Sequence, residues 1–289
     1  MKLEPKTLWL AAAIALTLFV FWLGPRWGPE GFQGRRASAG EGTLFPVAPF
    51  VPRKDPSHGA SFKGVPLVIY HSWGTSMVPP LMYKHIQALI EQNPEFDYSF
   101  NTDDDCRRFI AEHFDIEVVR AFDCLRPGAY KSDLWRYCVL YKKGGVYIDI
   151  KNRPEKKLLT FLDESDLPLF VRDSGPVHPF SCIWNGFMAA APGNPVFKRC
   201  IDEIVRSVSE KEYGESSLHI TGPCLIGRVV KELTPNYSFK FYNRNHVIYR
   251  SGGGEAVARE YDGYRGEQRA FQKTGHYSEL YRRREVYSC

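Results

Sequence analysis

The residues best able to do chemistry lie between positions 128 and 157, where the chain reads GAYKSDLWRYCVLYKKGGVYIDIKNRPEKK. Asp149 stands at their centre. Val146, Tyr147, Ile148 and Ile150 form a short β-prone run around it. In open α/β sheets, ligands bind beyond the carboxyl ends of strands. A carboxylate placed there can hold a hard cation through oxygen, or simply cap a turn. Asp133 and Arg136 are three residues apart and share one helix face. They are either contacts for a polar ligand or a surface ion pair. Lys151 sets an ammonium two residues beyond Asp149. Asp103, Asp104 and Asp105 read as a solvated loop and helix N-terminus, where acidic side chains suit the helix dipole. The chain contains no nucleophile elbow, P-loop or dinucleotide fingerprint.

These residues need elements to position them. Leu134, Tyr137, Cys138 and Tyr141 recur at helical spacing and predict an amphipathic helix. Lys142 and Lys143 suit its last turn, and Gly144 or Gly145 its left-handed cap. Upstream, 66–70 reads as a strand, followed by His71, Ser72 and Trp73 at the ligand edge of a sheet. A helix is predicted over 81–92, with Met82, His85, Ile86, Leu89 and Ile90 on one face and Asn93-Pro94 ending it. A strand over 97–100, a helix over 106–113 and a strand over 117–119 complete a β-α-β-α-β pattern. That alternation predicts a parallel sheet covered by helices on both faces.

The 289 residues are 44% hydrophobic and 25% charged, the composition of a globular chain. The formal net charge of +5 is spread without a long basic run, which argues against a nucleic-acid partner. Residues 8–24 are almost wholly apolar, with Trp9, Trp22 and Trp27 near their ends, and are expected to form an uncleaved transmembrane signal anchor after a tail of 1–7, a cleaved signal peptide being the competing reading. Residues 25–62, rich in Gly and Pro, are expected to be a flexible stem, and 63–289 a single catalytic domain. None of the seven cysteines forms a C-x-x-C pair, so zinc is not indicated. Cys138 reads as a buried small hydrophobe. Asn236-Tyr237-Ser238 is a glycosylation sequon, usable if the domain is lumenal.

Ser132, Asp133 and Arg136, then Gly144, Gly145, Tyr147 and Asp149, follow the pattern Ser-Asp-x-x-Arg and Gly-Gly-x-Tyr-x-Asp. With Trp73, Asn93-Pro94, the run from Trp184 to Ala190, Thr221-Gly222-Pro223 and His276-Tyr277, the chain resembles the DXD-motif sugar transferases. These include the yeast α-1,6-mannosyltransferase and the inositol phosphoceramide mannosyltransferases. The resemblance implies a GT-A fold, Rossmann-like and nucleotide-sugar-binding, in a type II protein of the Golgi or another secretory membrane, with its catalytic domain lumenal.

It further implies hexosyl transfer with retention from GDP-mannose or a UDP-hexose to a glycan, glycolipid or protein acceptor. Mannose is favoured, with glucose and galactose possible. By resemblance Trp73 stacks on the base, and Asp133, Arg136, Tyr147, Asp149, Lys151 and Gly186 contact the donor. Asp149 and Asn185 are the catalytic candidates. Asp149 and His276 would hold a divalent cation, Mn2+ being the usual one. The family motif ends in a second Asp, and here that residue is Lys151. Three readings follow. Lys151 stands in for the metal, the metal is held by Asp149 and His276 with another ligand or water, or the chain is an inactive nucleotide-sugar- or glycan-binding protein on the same fold.

Overall fold

The computed structural model describes residues 43–173, 182–271 and 275–289. The expected anchor, 8–24, and the first part of the expected stem, 25–42, lie outside them. Among the described residues no helix is long and apolar enough to cross a membrane.

In chain order the elements are β1 (Phe45–Pro46), β2 (Phe50–Val51), β3 (Ser61–Phe62), β4 (Val65–Pro66), β5 (Val68–Ser72) and β6 (Met77–Val78). Then come α1 (Pro80–Gln92), β7 (Asp97–Asn101), α2 (Asp103–His113), α3 (Ile116–Cys124), α4 (Gly128–Lys143), β8 (Gly145–Ile148), β9 (Asn152–Pro154) and α5 (Leu158–Glu164). They are followed by β10 (Leu169–Asp173), β11 (Ile183–Ala190), α6 (Pro195–Ser209), α7 (Pro223–Leu233), β12 (Phe241–Arg244), β13 (Val247–Arg250), β14 (Ala256–Glu260), α8 (Tyr264–Phe271) and α9 (Tyr277–Arg282).

Ten strands form one sheet in the order β2-β7-β5-β8-β11-β10-β12-β13-β14-β9. Strand β5 runs parallel to β7 and to β8, and β10 runs parallel to β12. The other neighbours pair antiparallel, so the sheet is mixed rather than parallel throughout as expected. Side chains alternate across it. Tyr70, Tyr147 and Met188 join one core with α2, α3, α4, α6 and α7. Ile69, Val146, Ile148, Phe187 and Ala189 join the other with α1 and α5. Helices therefore do cover both faces.

Three expectations change. Residues 43–62, expected to be flexible, carry β1, β2 and β3, which pair with β6, β7 and β4. Residues 117–119 are helical, in α3, where Val118, Val119, Ala121 and Phe122 are all buried. Two adjacent valines favour a strand locally, but this spacing buries one helical face against α6 and α4, and packing decides. Helix α4 is not amphipathic. Asp133 to Leu140 is buried without a break, because α2, α3, α6, α9 and the sheet surround it.

The acidic run does open a helix. Thr102 caps α2, accepting from the Asp105 amide at 3.2 Å while Asp105 accepts from the Thr102 amide at 3.0 Å.

Candidate functional site

The turn from α4 into β8 is fixed by its two glycines. Gly144 has φ +66° and Gly145 φ +104°, and a Cβ on either would meet Pro192 or Tyr70 at under 3 Å. Strand β8 then runs to Ile148, and Asp149 is the next residue, at the carboxyl end as expected. The register of β11 sets Phe187 opposite Ile148. Gly186 therefore faces Asp149, and its carbonyl accepts from the Asp149 amide at 2.8 Å. A Cβ at Gly186 would lie 2.7 Å from Asp149 Oδ2, so only glycine leaves that carboxylate in place.

Two cations hold the Asp149 carboxylate. Arg136 Nη2 lies 3.2 Å from Oδ1, and Lys151 Nζ lies 3.3 Å from Oδ2. The Tyr147 hydroxyl donates to Oδ1 at 3.0 Å and sits 3.1 Å from Ser132 Oγ. The Arg136 guanidinium stacks 4.3 Å above the Tyr147 ring. It also reaches Asp133 at 3.3 Å and donates to the Asn185 carbonyl at 2.7 Å. Asp133 is satisfied in turn by Asn185 Nδ2 at 2.9 Å and by the Thr221 hydroxyl at 2.7 Å. Tyr137 completes the network, taking a bond from Asn185 Nδ2 and donating to the Thr221 carbonyl. Helix α4, strands β8 and β11 and the loop before α7 thus converge on two carboxylates and two cations.

Burial acts on these groups in opposite ways. At Asp149 burial would raise the carboxyl pKa, but Arg136, Lys151 and the Tyr147 hydroxyl outweigh it and bring the value to about 2. At Asp133 burial wins. Its pKa lies above the ordinary carboxylate value despite Arg136 and Thr221. His71, wholly buried against the Tyr98 hydroxyl at 2.9 Å, is lowered by burial to about 3 and is neutral at physiological pH.

The structure thus brings together Asp133, Arg136, Tyr147, Asp149, Lys151, Asn185 and Gly186. Side-chain exposure is 19% at Asp149 and 18% at Lys151, against 6% at Arg136 and 10% at Asp133. Asp149 and Lys151 therefore form the open edge, while the Tyr147 hydroxyl is spent on Asp149 and the Asn185 amide on Asp133 and Tyr137. Trp73 is half-buried after β5, its amide bonded to the Asn101 carbonyl. His276 lies exposed at the start of α9, where Nδ1 accepts from the Ser278 amide. A cavity of about 530 Å³ lined by Arg120, Cys124, Val208, Lys211 and Cys289 includes none of these residues.

Sequence reasoning passed over Ser132, Tyr137 and Thr221 as site-forming side chains. Their motifs were visible, but not the contact between Thr221 and Asp133 across 88 positions.

Residues 79–168 match the family model described as the glycosyltransferase sugar-binding region containing the DXD motif. The matched segment includes Asp133, Arg136, Asp149 and Lys151. Inositol phosphoceramide mannosyltransferase 2 of Schizosaccharomyces pombe is 30% identical over 165 residues, covering 56% of this chain and 45% of that protein. The initiation-specific α-1,6-mannosyltransferase of the same yeast is 25% identical, covering 52% of this chain and 45% of that protein. The chain thus spans a little under half the length of these relatives. Among solved structures, the PaToxG glycosyltransferase aligns over 59% of this chain and 70% of that one, with a TM-score of 0.45 and 16% identity.

The DXD family generally binds a divalent cation. The side chains present at the motif do not fit one. The second motif carboxylate is Lys151, and each oxygen of Asp149 already faces a cation, Arg136 or Lys151. The Asp133 carboxylate is taken up by Arg136, Asn185 and Thr221. Among the described residues no three His, Cys, Asp or Glu side chains cluster as metal ligands would, which leaves the expected Asp149 and His276 pair without a third.

Proposed function

We propose that this chain is a GT-A-type glycosyltransferase. It moves a hexose, with mannose favoured, from a nucleotide-sugar donor to a glycan, glycolipid or protein acceptor with retention of configuration. One observation carries the reading most directly. A helix and a strand 16 residues apart in Asp133 and Asp149 bring both carboxylates to a single arginine at the carboxyl edge of the sheet, and the family segment includes both.

In this reading Asp149 and Lys151 line the donor site, and Trp73 stacks on the base. Arg136, Tyr147, Asp133 and Asn185 hold Asp149 in position, and Gly186 keeps the floor open. In transfer with retention the bond from the sugar's anomeric carbon to the diphosphate oxygen breaks. A bond from the acceptor oxygen forms on the same face. The acceptor proton passes to the departing phosphate, so no protein base is required. Mannose as the sugar is supported by the names of the relatives.

The test is release of GDP or UDP from a panel of nucleotide hexoses by the full chain, with and without candidate acceptors. Release from one donor, stimulated by an acceptor and reduced at least about a hundredfold in Asp149→Asn, is the expected result. Donor binding without turnover on any acceptor would replace transfer with a binding role.

A further inference from the structure

A divalent cation brings two positive charges to the two carboxylates of the family motif. Replacing the second carboxylate by an ammonium raises the protein's own charge by the same two units. The local balance here bears this out. Asp133 and Asp149 carry two negative charges, Arg136 and Lys151 two positive ones, and all four lie in one chain of contacts of 3.2 to 3.3 Å. Two carboxylates and a metal would sum to the same total in place of Asp149 and Lys151. A metal added to the present set would instead leave an excess of two positive charges beside Arg136 and Lys151.

We propose that Lys151 takes the place of the divalent cation, its ammonium contacting the diphosphate of the donor, so that donor binding in this chain needs no metal. The inference rests on the donor-site reading above. When the anomeric carbon leaves, the bonding electron pair stays on the diphosphate oxygen, and the fixed ammonium meets that charge.

The setting of Lys151 suits the role. Its side chain is 18% exposed and anchored on Asp149, so it is placed rather than free to swing. Its carbonyl accepts from the Tyr261 amide at 3.0 Å, which ties the motif to the segment before α8. Helix α8 supplies Arg265, held by Glu260 at 2.9 Å and lying 3.4 Å from His246. His246 sits at φ +62°, an uncommon conformation for a residue with a side chain, in the two-residue turn between β12 and β13. Burial lowers the pKa of both His246 and His276, and Lys151 and Arg265 lower each further. Lys151 and Arg265 therefore act on one region, each held in place by a carboxylate, Asp149 and Glu260.

The full chain in detergent is titrated calorimetrically with GDP and with UDP, in EDTA and in Mn2+. The expected result is binding of one nucleotide with a Kd that agrees within about twofold between the two conditions. Lys151→Met should weaken it at least tenfold, the loss typical of a charge-assisted contact. Lys151→Asp should bind the nucleotide only with Mn2+ and should show bound Mn2+ by electron paramagnetic resonance, which the wild type should not. Wild-type binding at least tenfold tighter with Mn2+ would overturn the inference and leave the donor site standing, as would unchanged binding by Lys151→Met. No binding of either nucleotide under either condition would overturn the donor-site reading, and the inference with it. The comparison of chelator with metal on the wild type depends on no variant folding.

Discussion

Asp149 is a half-buried carboxylate that stays ionised because two cations and a hydroxyl face it. Its folded pKa of about 2 lies below the ordinary aspartate value of about 3.9. A lowered carboxyl pKa contributes stability that is complete above the unfolded value and lost as pH falls through the folded one. Asp149→Asn should therefore cost about 2 kcal/mol at pH 7 and at pH 5, and less at pH 3. Urea unfolding of both proteins at the three pH values checks this, and a difference that grows on acidification would contradict it. Asp149, Asp133 and Arg136 were legible in the sequence, since type and spacing alone bring out a strand-end acid and an i, i+3 pair. The direct contact of Lys151 with Asp149 was not, because β8 ends at Ile148 and only the turn beyond it decides where residue 151 goes.

At the scale of elements, α4 is the beam on which the site hangs. It presents Ser132, Asp133, Arg136 and Tyr137 to β8, β11 and the loop before α7. Its last turn and the glycine cap that closes it were readable from sequence. Its burial on all sides was not, because the amphipathic pattern seen over 134–141 leaves out Trp135, Val139 and Leu140, which pack on other helices. The same limit accounts for 117–119. Local β preference there loses to a helical face that only tertiary packing fills. Thr221 is the clearest test of the network, since its hydroxyl donates to a buried carboxylate already raised by burial. Thr221→Val should destabilise the protein by about 1–3 kcal/mol, measured by urea unfolding at pH 7. A change within about 0.3 kcal/mol would show that Asp133 does not depend on it.

For the whole molecule, the cysteines bear on where the domain resides. Cys124 pairs with Cys289 and Cys182 with Cys224, while Cys106, Cys138 and Cys200 are buried and free. Two bridges are typical of an oxidising compartment, which supports the proposed lumenal domain of a type II secretory-membrane protein. Cys138 is the buried small residue its helix position suggested. The two pairings were not readable from spacing, since the partners stand 165 and 42 positions apart. Asn236 is exposed in a turn after α7, accessible to glycosylation. The chain expressed in a eukaryotic cell should therefore migrate faster after glycosidase treatment, and Asn236→Gln should abolish the shift. An untreated chain that already migrates at the position of Asn236→Gln would count against a lumenal domain.

The central claim is that the Asp149 edge receives a nucleotide sugar. Its most direct test is calorimetric titration of the full chain with GDP-mannose, UDP-glucose and UDP-galactose, wild type against Asp149→Asn. The prediction is saturable binding of one donor, weakened at least tenfold in the variant. Binding of none of the three, or equal binding by the two proteins, would contradict it.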